Sequence, residues 1–275
     1  MIDDKRIELL KQPLWRIRNL YKIKNKQKKI VPFVPNEAQE ELLNNLHTRN
    51  IIPKARQRGF STLIQIMALD MALFKDNSDV GIVAQDLPTA QDIFDSKIKI
   101  AYDNLPEAIK AGRTVVSNTT TSIEFSNGSK VRVGTSMRGG TPNFVHVSEF
   151  GKICAKYPDK AKEVLTGTLP AVPSDGLVFI ESTAEGRDGA FYKMCQEAKE
   201  SQDAGRKLSP LEFKLHFAGW WDADEYEIDP EGVILTEKDT EYFDGLEAKL
   251  GIELSLRKRA WYVTTRRQMF SGDQQ

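Results

Sequence analysis

A basic loop with one glycine lies between an apolar run and an amphipathic segment. Ile51 and Ile52 lead into the loop at residues 54–62, after which apolar residues recur at helical spacing. A loop that joins a strand to a helix can hold phosphate, because the first N–H groups of the helix and the positive end of its dipole face the loop. The order of strand, loop and helix therefore predicts a phosphate-binding loop.

This loop matches the Walker A pattern G-x-x-x-x-G-K-[ST] only in part. Gly59 and Ser61 fit, whereas Lys54 replaces the first glycine and Phe60 stands where the phosphate-binding lysine is expected. Positive charge must then come from elsewhere in the loop, and an arginine can hold a phosphate through two hydrogen bonds. The candidate cations are Lys54, Arg56 and Arg58. An ordinary basic loop without a ligand is the alternative interpretation.

Two apolar strands further along the chain end in polar residues. The strand predicted at 144–147 runs into Ser148 and Glu149, and the strand predicted at 177–180 runs into Glu181, Ser182 and Thr183. A carboxylate just past the end of a core strand lies where open α/β sheets bind ligands. Hydroxyl groups at a strand tip can bond phosphate, water or a neighbouring side chain. A simple turn containing serine and threonine is the alternative for the second tip.

Two isolated residues are further candidates for a nucleotide site. Gln39 lies in the first turn of a helix that Asn36 is expected to cap, just upstream of the loop strand. Its amide could pair with the N6 and N7 groups of adenine, although an exposed helical glutamine is the alternative. Arg138 is the single arginine of the glycine-rich loop 134–142, which precedes the strand at 144–147.

The composition is that of an ordinary globular protein, with 275 residues, 40% of them hydrophobic, and a formal net charge of 0. Two cysteines and three scattered histidines offer neither a disulfide framework nor a metal-ligand cluster. No apolar run approaches the roughly 18 residues that a membrane span needs, and the N-terminus lacks a secretion signal. We therefore expect a cytosolic protein that does not contact a membrane.

The zero net charge hides one basic and one acidic segment. Residues 5–29 carry ten lysines and arginines against the single acid Glu8, whereas residues 222–244 carry ten acids. A basic arm can contact nucleic acid through its phosphates. A solvated helix and linker is an equally good interpretation of residues 5–29.

Strand and helix patterns alternate along most of the chain. This alternation predicts an α/β fold with a mostly parallel central sheet flanked by helices on both faces. Asn127 and Gly128 predict a hairpin between two of the strands. Strands are predicted at 51–52, 79–85, 121–125, 130–133, 144–147, 177–180 and 213–217. Helices are predicted at 3–21, after Asn36, after Ser61, and at 88–111, 152–167, 187–203, 236–249 and 255–270.

The order of these signals resembles the ATPase part of the large terminase subunit of tailed bacteriophages, the motor that drives double-stranded DNA into the prohead. The loop at 54–62, Arg138 with Gly139 before the strand ending in Glu149, and the segments 181–184 and 215–221 carry the resemblance. It implies a P-loop NTPase fold of the ASCE type. It also implies a basic N-terminal helix and linker at 1–30, an ATPase core at 31–218, and a helical linker subdomain at 219–275 that leads toward a nuclease domain absent from this chain.

The resemblance implies that the loop binds ATP with Mg²⁺. Gln39 would contact adenine, and Arg56, with Lys54 beside it, would replace the missing lysine. Ser61 would hold Mg²⁺, and Thr62 would bond the α-phosphate. The remaining residues of the loop would line the same site: Gln57, Arg58, Gly59 and Phe60.

Catalytic roles are implied for four residues further along the chain. Glu149 would orient or deprotonate the attacking water, and Ser182 and Thr183 would form the coupling motif that senses the γ-phosphate. Arg138 would be an arginine finger that reaches a neighbouring subunit. Phosphoryl transfer needs a cradle, a metal, an oriented water and positive charge, so these roles agree with the chemistry. A finger supplied by another subunit would leave a lone chain slow.

Two departures from the family pattern bear on metal binding. Phe60 replaces the loop lysine, and Ser148 replaces the Walker B aspartate that commonly holds Mg²⁺. A serine is a poorer partner for a hard cation than a carboxylate. Either metal affinity is expected to be weak, or Glu149 serves both as base and as metal ligand. The candidate metal ligands are Ser61, Ser148 and Glu149.

The implied partners are double-stranded DNA, the portal protein, the small terminase subunit and further copies of this chain in a ring. A monomer is expected in isolation, in the cytoplasm of an infected bacterium and transiently at the prohead portal. No nuclease activity is expected, because the acids at 222–244 are interspersed along a loop rather than clustered.

Two alternatives stay open at this point. A superfamily 2 helicase-like ATPase would carry Asp-Glu at the Walker B strand and would need a second ATPase-like domain. A DNA-docking or portal-docking module with weak catalysis would explain Phe60 and Ser148, and measured ATP turnover distinguishes that module from a motor.

Overall fold

The computed structural model describes residues 4–137 and 139–269, and the chain divides into two compact units between Ala218 and Gly219. The first unit is a sheet covered by helices on both faces, and the second is helical. In the residues that the model describes, no helix is long and apolar enough to cross a membrane.

The strands of the first unit are β1 Lys22–Lys24, β2 Ile30–Pro32, β3 Arg49–Pro53, β4 Asp79–Val83, β5 Val115–Asn118, β6 Ser122–Phe125, β7 Lys130–Gly134, β8 Phe144–Ser148, β9 Leu177–Ser182 and β10 Lys214–Leu215. Its helices are α1 Asp4–Leu10, α2 Pro13–Asn19, α3 Glu37–Asn44, α4 Phe60–Phe74, α5 Leu87–Ile93, α6 Ile100–Asp103, α7 Glu107–Gly112, α8 Phe150–Lys156, α9 Pro158–Glu163 and α10 Gly189–Asp203. Two π-helical segments, Phe94–Lys99 and Val164–Thr168, follow α5 and α9.

The central sheet has the strand order β10-β3-β9-β8-β4-β7-β6-β5. The strands from β10 to β7 run parallel to their neighbours, and β6 and β5 are added antiparallel at one edge. The predicted mostly parallel sheet is therefore confirmed. Asn127 and Gly128 lie in the turn between β6 and β7, where Gly128 has a φ of +78° that favours glycine.

Side chains alternate between the two faces of each strand and build a core on either side of the sheet. Ile52 and Phe179 pack on the face that α4 covers, together with Leu63 from that helix. On the opposite face, Ile51 and Val147 pack in the cluster that includes residues of α8 and α10. Both faces of the parallel strands are thus buried, as a sheet with crossover helices requires.

Three predicted helices are shorter than expected, and proline is the reason in each case. The helix predicted at 3–21 is divided into α1 and α2 by Pro13, whose ring cannot continue an α-helix. Pro106 separates α7 from the helix predicted at 88–111, and Pro158 begins α9 within the helix predicted at 152–167. The strand predicted at 213–217 is also shorter, because only two of its residues pair with β3.

Helices α11 Glu237–Leu250 and α12 Leu256–Met269 form the second unit. Phe243 and Val263 are fully buried between them, with aromatic residues packed alongside. Asp239, from the acidic segment, is buried as well, where its carboxylate accepts hydrogen bonds from Thr236 and Arg266. Part of the acidic segment therefore serves helix capping and internal pairing.

Part of the basic segment also has a structural role. Arg16 donates hydrogen bonds of 2.9 and 2.7 Å to the two carboxylate oxygens of Asp70 on α4, and the Tyr21 hydroxyl donates to the same carboxylate at 2.7 Å. Burial raises the pKa of Asp70 above its usual value, although the hydrogen bonds and the charge of Arg16 act against that shift. The charge of Arg16 is consequently enclosed within the protein, where nucleic acid does not reach it.

Replacing Arg16 by alanine should lower the free energy of unfolding by about 3–5 kcal/mol, because a buried carboxylate is left without its cation. A carboxyl whose folded pKa is raised favours folding most at low pH and loses that contribution as the pH rises through the folded pKa. The loss in Arg16→Ala should therefore be largest at neutral pH and shrink on acidification. Urea denaturation at pH 7 and pH 5 measures it.

The matched control is Arg18→Ala. Arg18 pairs with Glu40, and both side chains are about one-third exposed. Exposed pairs contribute about 1 kcal/mol or less. A loss in Arg16→Ala no larger than that of Arg18→Ala would contradict the structural role of Arg16.

Candidate nucleotide-binding site

The basic loop joins the end of β3 to the start of α4. Helix α4 begins at Phe60, and Gly59 precedes it with a left-handed φ of +75°. Within the described residues, no side chain caps the start of this 15-residue helix. In the described structure, the N–H groups of Phe60 and Ser61 and the positive end of the helix dipole are therefore available to an anion in the loop, whereas the Thr62 N–H donates to the Gly59 carbonyl oxygen.

Gln39 braces the loop from helix α3. Its Nε2 donates to the Gly59 carbonyl oxygen at 2.8 Å, and its Oε1 accepts from the Asn36 backbone N–H at 2.9 Å. The same two residues form the capping box of α3, so the expected cap at Asn36 is present. Both ends of the Gln39 amide are engaged, and an adenine contact, which stays a prediction, would require the amide to exchange these partners.

Lys54 ties together the ends of three strands. Its ammonium group lies 3.1 Å from Glu149 Oε1, at the tip of β8, and 2.9 Å from Glu181 Oε2, near the tip of β9. Burial by itself lowers the pKa of Lys54, but the two carboxylates outweigh burial and raise it above its usual value. Lys54 is therefore a fixed positive charge at the mouth of the loop.

Glu181 is a fully buried carboxylate that faces the start of α4. Its Oε1 accepts hydrogen bonds from Ser61 Oγ at 2.7 Å and from Ser148 Oγ at 3.0 Å. His146 Nε2 lies 3.4 Å from the same oxygen. Burial raises the pKa of Glu181, but His146, the Lys54 charge and Ser61 together hold it well below its usual range. Glu181 is thus ionised.

Glu149 connects the tips of β8 and β9. It has a left-handed φ of +54°, and its Oε2 accepts from Thr183 through Oγ1 at 3.3 Å and through the backbone N–H at 3.4 Å. A non-glycine residue in this conformation stores strain of about 1–3 kcal/mol, and such residues cluster at functional sites. The Glu149 side chain is 32% exposed, so its carboxylate can reach a ligand.

A cleft of ≈ 640 Å³ opens beside these residues, a volume typical of small-molecule sites. The positive charges around it suit a polyanionic ligand. Its lining consists of Lys54, Arg56, Gln57, Gln85, Thr89, Ser148, Glu149, Lys152, Lys156, Thr183 and Glu185.

The structure gathers five of the predicted residues around the loop and the strand tips, namely Lys54, Ser61, Ser148, Glu149 and Thr183. Arg56 and Gln57 are exposed and border the cleft. Arg56 therefore borders the cleft from its exposed side, whereas Lys54 borders it from the buried side.

Three other predicted residues lie apart from this cluster, and a fourth lies outside the residues that the structure describes. Phe60 is buried in the apolar core and Arg58 is buried too, so neither side chain borders the cleft. Ser182 points to the opposite face of the sheet, where a Cβ added to Gly151 would lie 2.8 Å from its Oγ. Arg138 lies outside the residues that the structure describes. The roles predicted for these residues stay predictions.

Two residues near the loop did not emerge as site candidates from the sequence. Glu181 could have been noticed as a carboxylate at the end of an apolar strand. Lys97 lies in the π-helical segment after α5, where its Nζ is 3.4 Å from Thr62 Oγ1. Burial lowers the pKa of Lys97, against the opposing charges of Glu181 and Asp92. No local pattern indicates Lys97, because only the fold brings it to the loop.

The available ligand atoms around the loop suit Mg²⁺. In the described parts of the chain, no group of three histidines, cysteines or acids could hold a metal by itself. Mg²⁺ prefers oxygen ligands and is usually bound by one or two protein groups together with phosphates and water. Ser61, Ser148 and Glu149 supply oxygen atoms of this kind next to the loop, and the buried Glu181 carboxylate accepts hydrogen bonds from both serines.

Gly59→Ala should destabilise the protein more than an equivalent change elsewhere. An alanine with positive φ costs roughly 1–2 kcal/mol, and its Cβ would lie 2.7 Å from Gln39 Nε2. The amide would then lose its bond to the loop, at a further cost of about 1 kcal/mol. Urea denaturation measures the difference.

Gly139→Ala is the matched control, because Gly139 has a φ of +78° and no described residue other than its chain neighbours has an atom within 4 Å of an added Cβ. Equal losses of stability in the two variants would show that the hydrogen bond from Gln39 to the Gly59 carbonyl oxygen does not stabilise the protein.

No protein-family model and no curated protein sequence matches the chain. Two solved structures resemble it over 90% of its length and 92% of theirs: the large terminase ATPase domain of Thermus phage P74-26 and an arginine-to-alanine mutant of that domain. Their TM-scores are 0.55 and 0.54, at 16% and 17% sequence identity.

A DEAD box protein from Methanococcus jannaschii overlaps 84% of this chain and 69% of its own chain, at 12% sequence identity. Its TM-score of 0.42 is too low to support a conclusion about this chain. The resemblance seen in the sequence is confirmed at the level of fold: this chain has the P-loop NTPase fold found in the ATPase domain of a phage large terminase.

Proposed function

We propose that this chain is the ATP-hydrolysing motor domain of a viral terminase, which translocates double-stranded DNA into the prohead. The observation that carries the proposal is the cluster of Lys54, Glu149 and Thr183 at neighbouring strand tips beside a loop that can bind phosphate. Its occurrence in the fold of a phage terminase ATPase domain supports a motor function over an unrelated nucleotide site.

ATP phosphates would lie at the start of α4, where the N–H groups after Gly59 face the loop. Ser61 would offer its hydroxyl oxygen to Mg²⁺, which would neutralise phosphate charge during the reaction. Arg56 would approach the phosphates from the exposed side of the cleft, and Lys54 from the buried side. This arrangement supplies the charge that the loop lacks at Phe60.

Glu149 would orient the attacking water and accept its proton. Lys54 and Thr183 hold the two oxygens of its carboxylate, so the group is positioned before a ligand arrives. A general base must lie within hydrogen-bond reach of the proton that it accepts, and the one-third exposure of Glu149 permits this. Its strained backbone conformation agrees with a catalytic position.

Thr183 would transmit the state of the nucleotide to the rest of the motor. It contacts Glu149 directly, and it follows β9 at the centre of the sheet. A change at the γ-phosphate that moves Glu149 would therefore alter a bond to Thr183. Ser182, its predicted partner in the coupling motif, would act from the opposite face through its packing against α8.

Arg138 would complete the site of a neighbouring subunit in a homo-oligomeric ring. The portal protein, the small terminase subunit and double-stranded DNA would be the other partners, in the cytoplasm of the infected cell and at the prohead. An arginine finger contributes a factor of roughly 10³ to 10⁵ in rate, so an isolated chain would hydrolyse ATP slowly.

ATP turnover per chain should rise with protein concentration and should fall by roughly 10²–10⁴ in Glu149→Gln, because the general base is removed. Steady-state phosphate release over a range of protein concentrations measures both effects. Glu185→Gln is the control, since Glu185 lines the same cleft but is not bonded to Lys54 or Thr183 in the described structure.

Turnover that is independent of concentration would place the finger in the same chain. Turnover no higher than that of Glu149→Gln at any concentration would reject the motor and favour a docking module. Cleavage of plasmid DNA in Mg²⁺ or Mn²⁺ is not expected from this chain, and nicking that persists in purified Glu149→Ala would contradict that expectation.

Lys54 and Arg56 should have separable effects. Lys54→Met removes the cation between two carboxylates and should lower both stability, by about 3–5 kcal/mol, and turnover. Arg56→Met should raise the KM for ATP without changing the melting temperature, because Arg56 is exposed. Thermal melting together with KM and kcat measures the separation, and equal melting temperatures in the two variants would refute it.

A further inference from the structure

We infer that Glu181, on strand β9, is the carboxylate that positions the metal at this site, in the place where a carboxylate at residue 148 on β8 is expected. The inference rests on the proposed function, because it concerns the Mg²⁺ that accompanies ATP. It assigns Glu181 as a positioning residue that acts through Ser61 and through water.

The strand register places Glu181 beside the missing carboxylate. Ser148 and Glu181 are direct neighbours across the parallel pair β8 and β9. Both side chains lie on the face that α4 covers, and Ser148 Oγ donates to Glu181 Oε1 at 3.0 Å. A carboxylate at residue 181 on β9 can therefore reach the same space as a carboxylate at residue 148 on β8.

The hydrogen bond between Ser61 and Glu181 indicates how Glu181 would act on the metal. The Ser61 hydroxyl donates to Glu181 Oε1 at 2.7 Å, so its proton is directed away from the loop. The lone pairs of its oxygen are then left for a cation. Groups that bond to a metal ligand in this way orient it, and their removal typically weakens metal binding by roughly 10–100-fold.

The surroundings keep Glu181 charged and immobile. Lys54 lies 2.9 Å from its second oxygen, and the side chain is fully buried. On another side, His146 Nε2 lies 3.4 Å from Glu181 Oε1, and Gln65 Nε2 lies 2.7 Å from His146 Nδ1. A carboxylate held from three sides is a fixed negative charge next to Ser61, which would hold the metal.

A purely structural role, as the counter-charge of Lys54, is the competing explanation. That role predicts a loss of stability in Glu181→Gln without a selective effect on metal binding. A positioning role predicts a selective effect, and it predicts rescue when a carboxylate is restored on the neighbouring strand. Ser148→Asp in the Glu181→Gln background provides that restoration.

The experiment measures Mn²⁺ binding by electron paramagnetic resonance, with a non-hydrolysable ATP analogue present. Glu181→Gln should weaken Mn²⁺ binding by roughly 10–100-fold while binding of the analogue without metal changes less than about 2-fold. The double variant Ser148→Asp/Glu181→Gln should recover at least half of the loss on a logarithmic scale. Glu124→Gln, an exposed carboxylate on β6 outside the cleft, should bind Mn²⁺ as the wild type does.

Mn²⁺ binding within 2-fold of the wild type in folded Glu181→Gln would overturn the inference, as would a double variant no better than the single one. If Glu181→Gln does not fold, Mn²⁺ binding to Ser61→Ala and to the double variant tests the inference instead. Weakened binding in Ser61→Ala with restored binding in the double variant supports the inference, and any other result overturns it.

The same measurements separate this inference from the proposed function. A wild-type chain that turns over ATP, with unaltered Mn²⁺ binding in Glu181→Gln, would reject only the role of Glu181. A wild-type chain that binds Mn²⁺ with the analogue in a Glu181-dependent way but does not hydrolyse ATP would reject only the motor. A wild-type chain that binds neither would reject both.

Discussion

The ion cluster of Lys54, Glu149 and Glu181 constrains the rest of the site. Charges removed from water are tolerated only when they are paired and hydrogen-bonded, and breaking such a pair is costly. Because the three side chains come from the ends of β3, β8 and β9, their pairing requires those strands to be neighbours in the parallel sheet. The cluster thus links the stability of the sheet to the geometry of the loop.

The loop departs from the Walker A pattern, and charged side chains from other positions lie near each departure. The side chain of Phe60 is directed into the core, while cations approach from Lys54 and Arg56. Ser148 lacks a carboxylate, but its neighbour across the strands has one. The charged groups next to the loop thus come from positions that are adjacent in space and distant in sequence.

Local signals in the sequence predicted much of this arrangement correctly. Asn36 caps its helix, the Asn-Gly hairpin forms, and the apolar strands are buried, because these features depend on a few consecutive residues. Helix lengths were overestimated where Pro13, Pro106 and Pro158 interrupt an otherwise helical pattern. The positions of Arg16 and Lys97 could not be predicted, because their partners lie 54 and 35 residues away.

The sequence by itself determined the basic loop between a strand and a helix, the polar strand tips and the alternation of strands with helices, since chain-local periodicity and turn chemistry encode them. Only the tertiary structure decided the strand order, and with it which carboxylate meets Ser61. Side-chain alternation placed Glu181 toward α4 and Ser182 on the opposite face, although the two are adjacent in sequence. The physical reason is that pairing across a parallel sheet joins residues far apart in the chain, and no local pattern specifies which strands become neighbours.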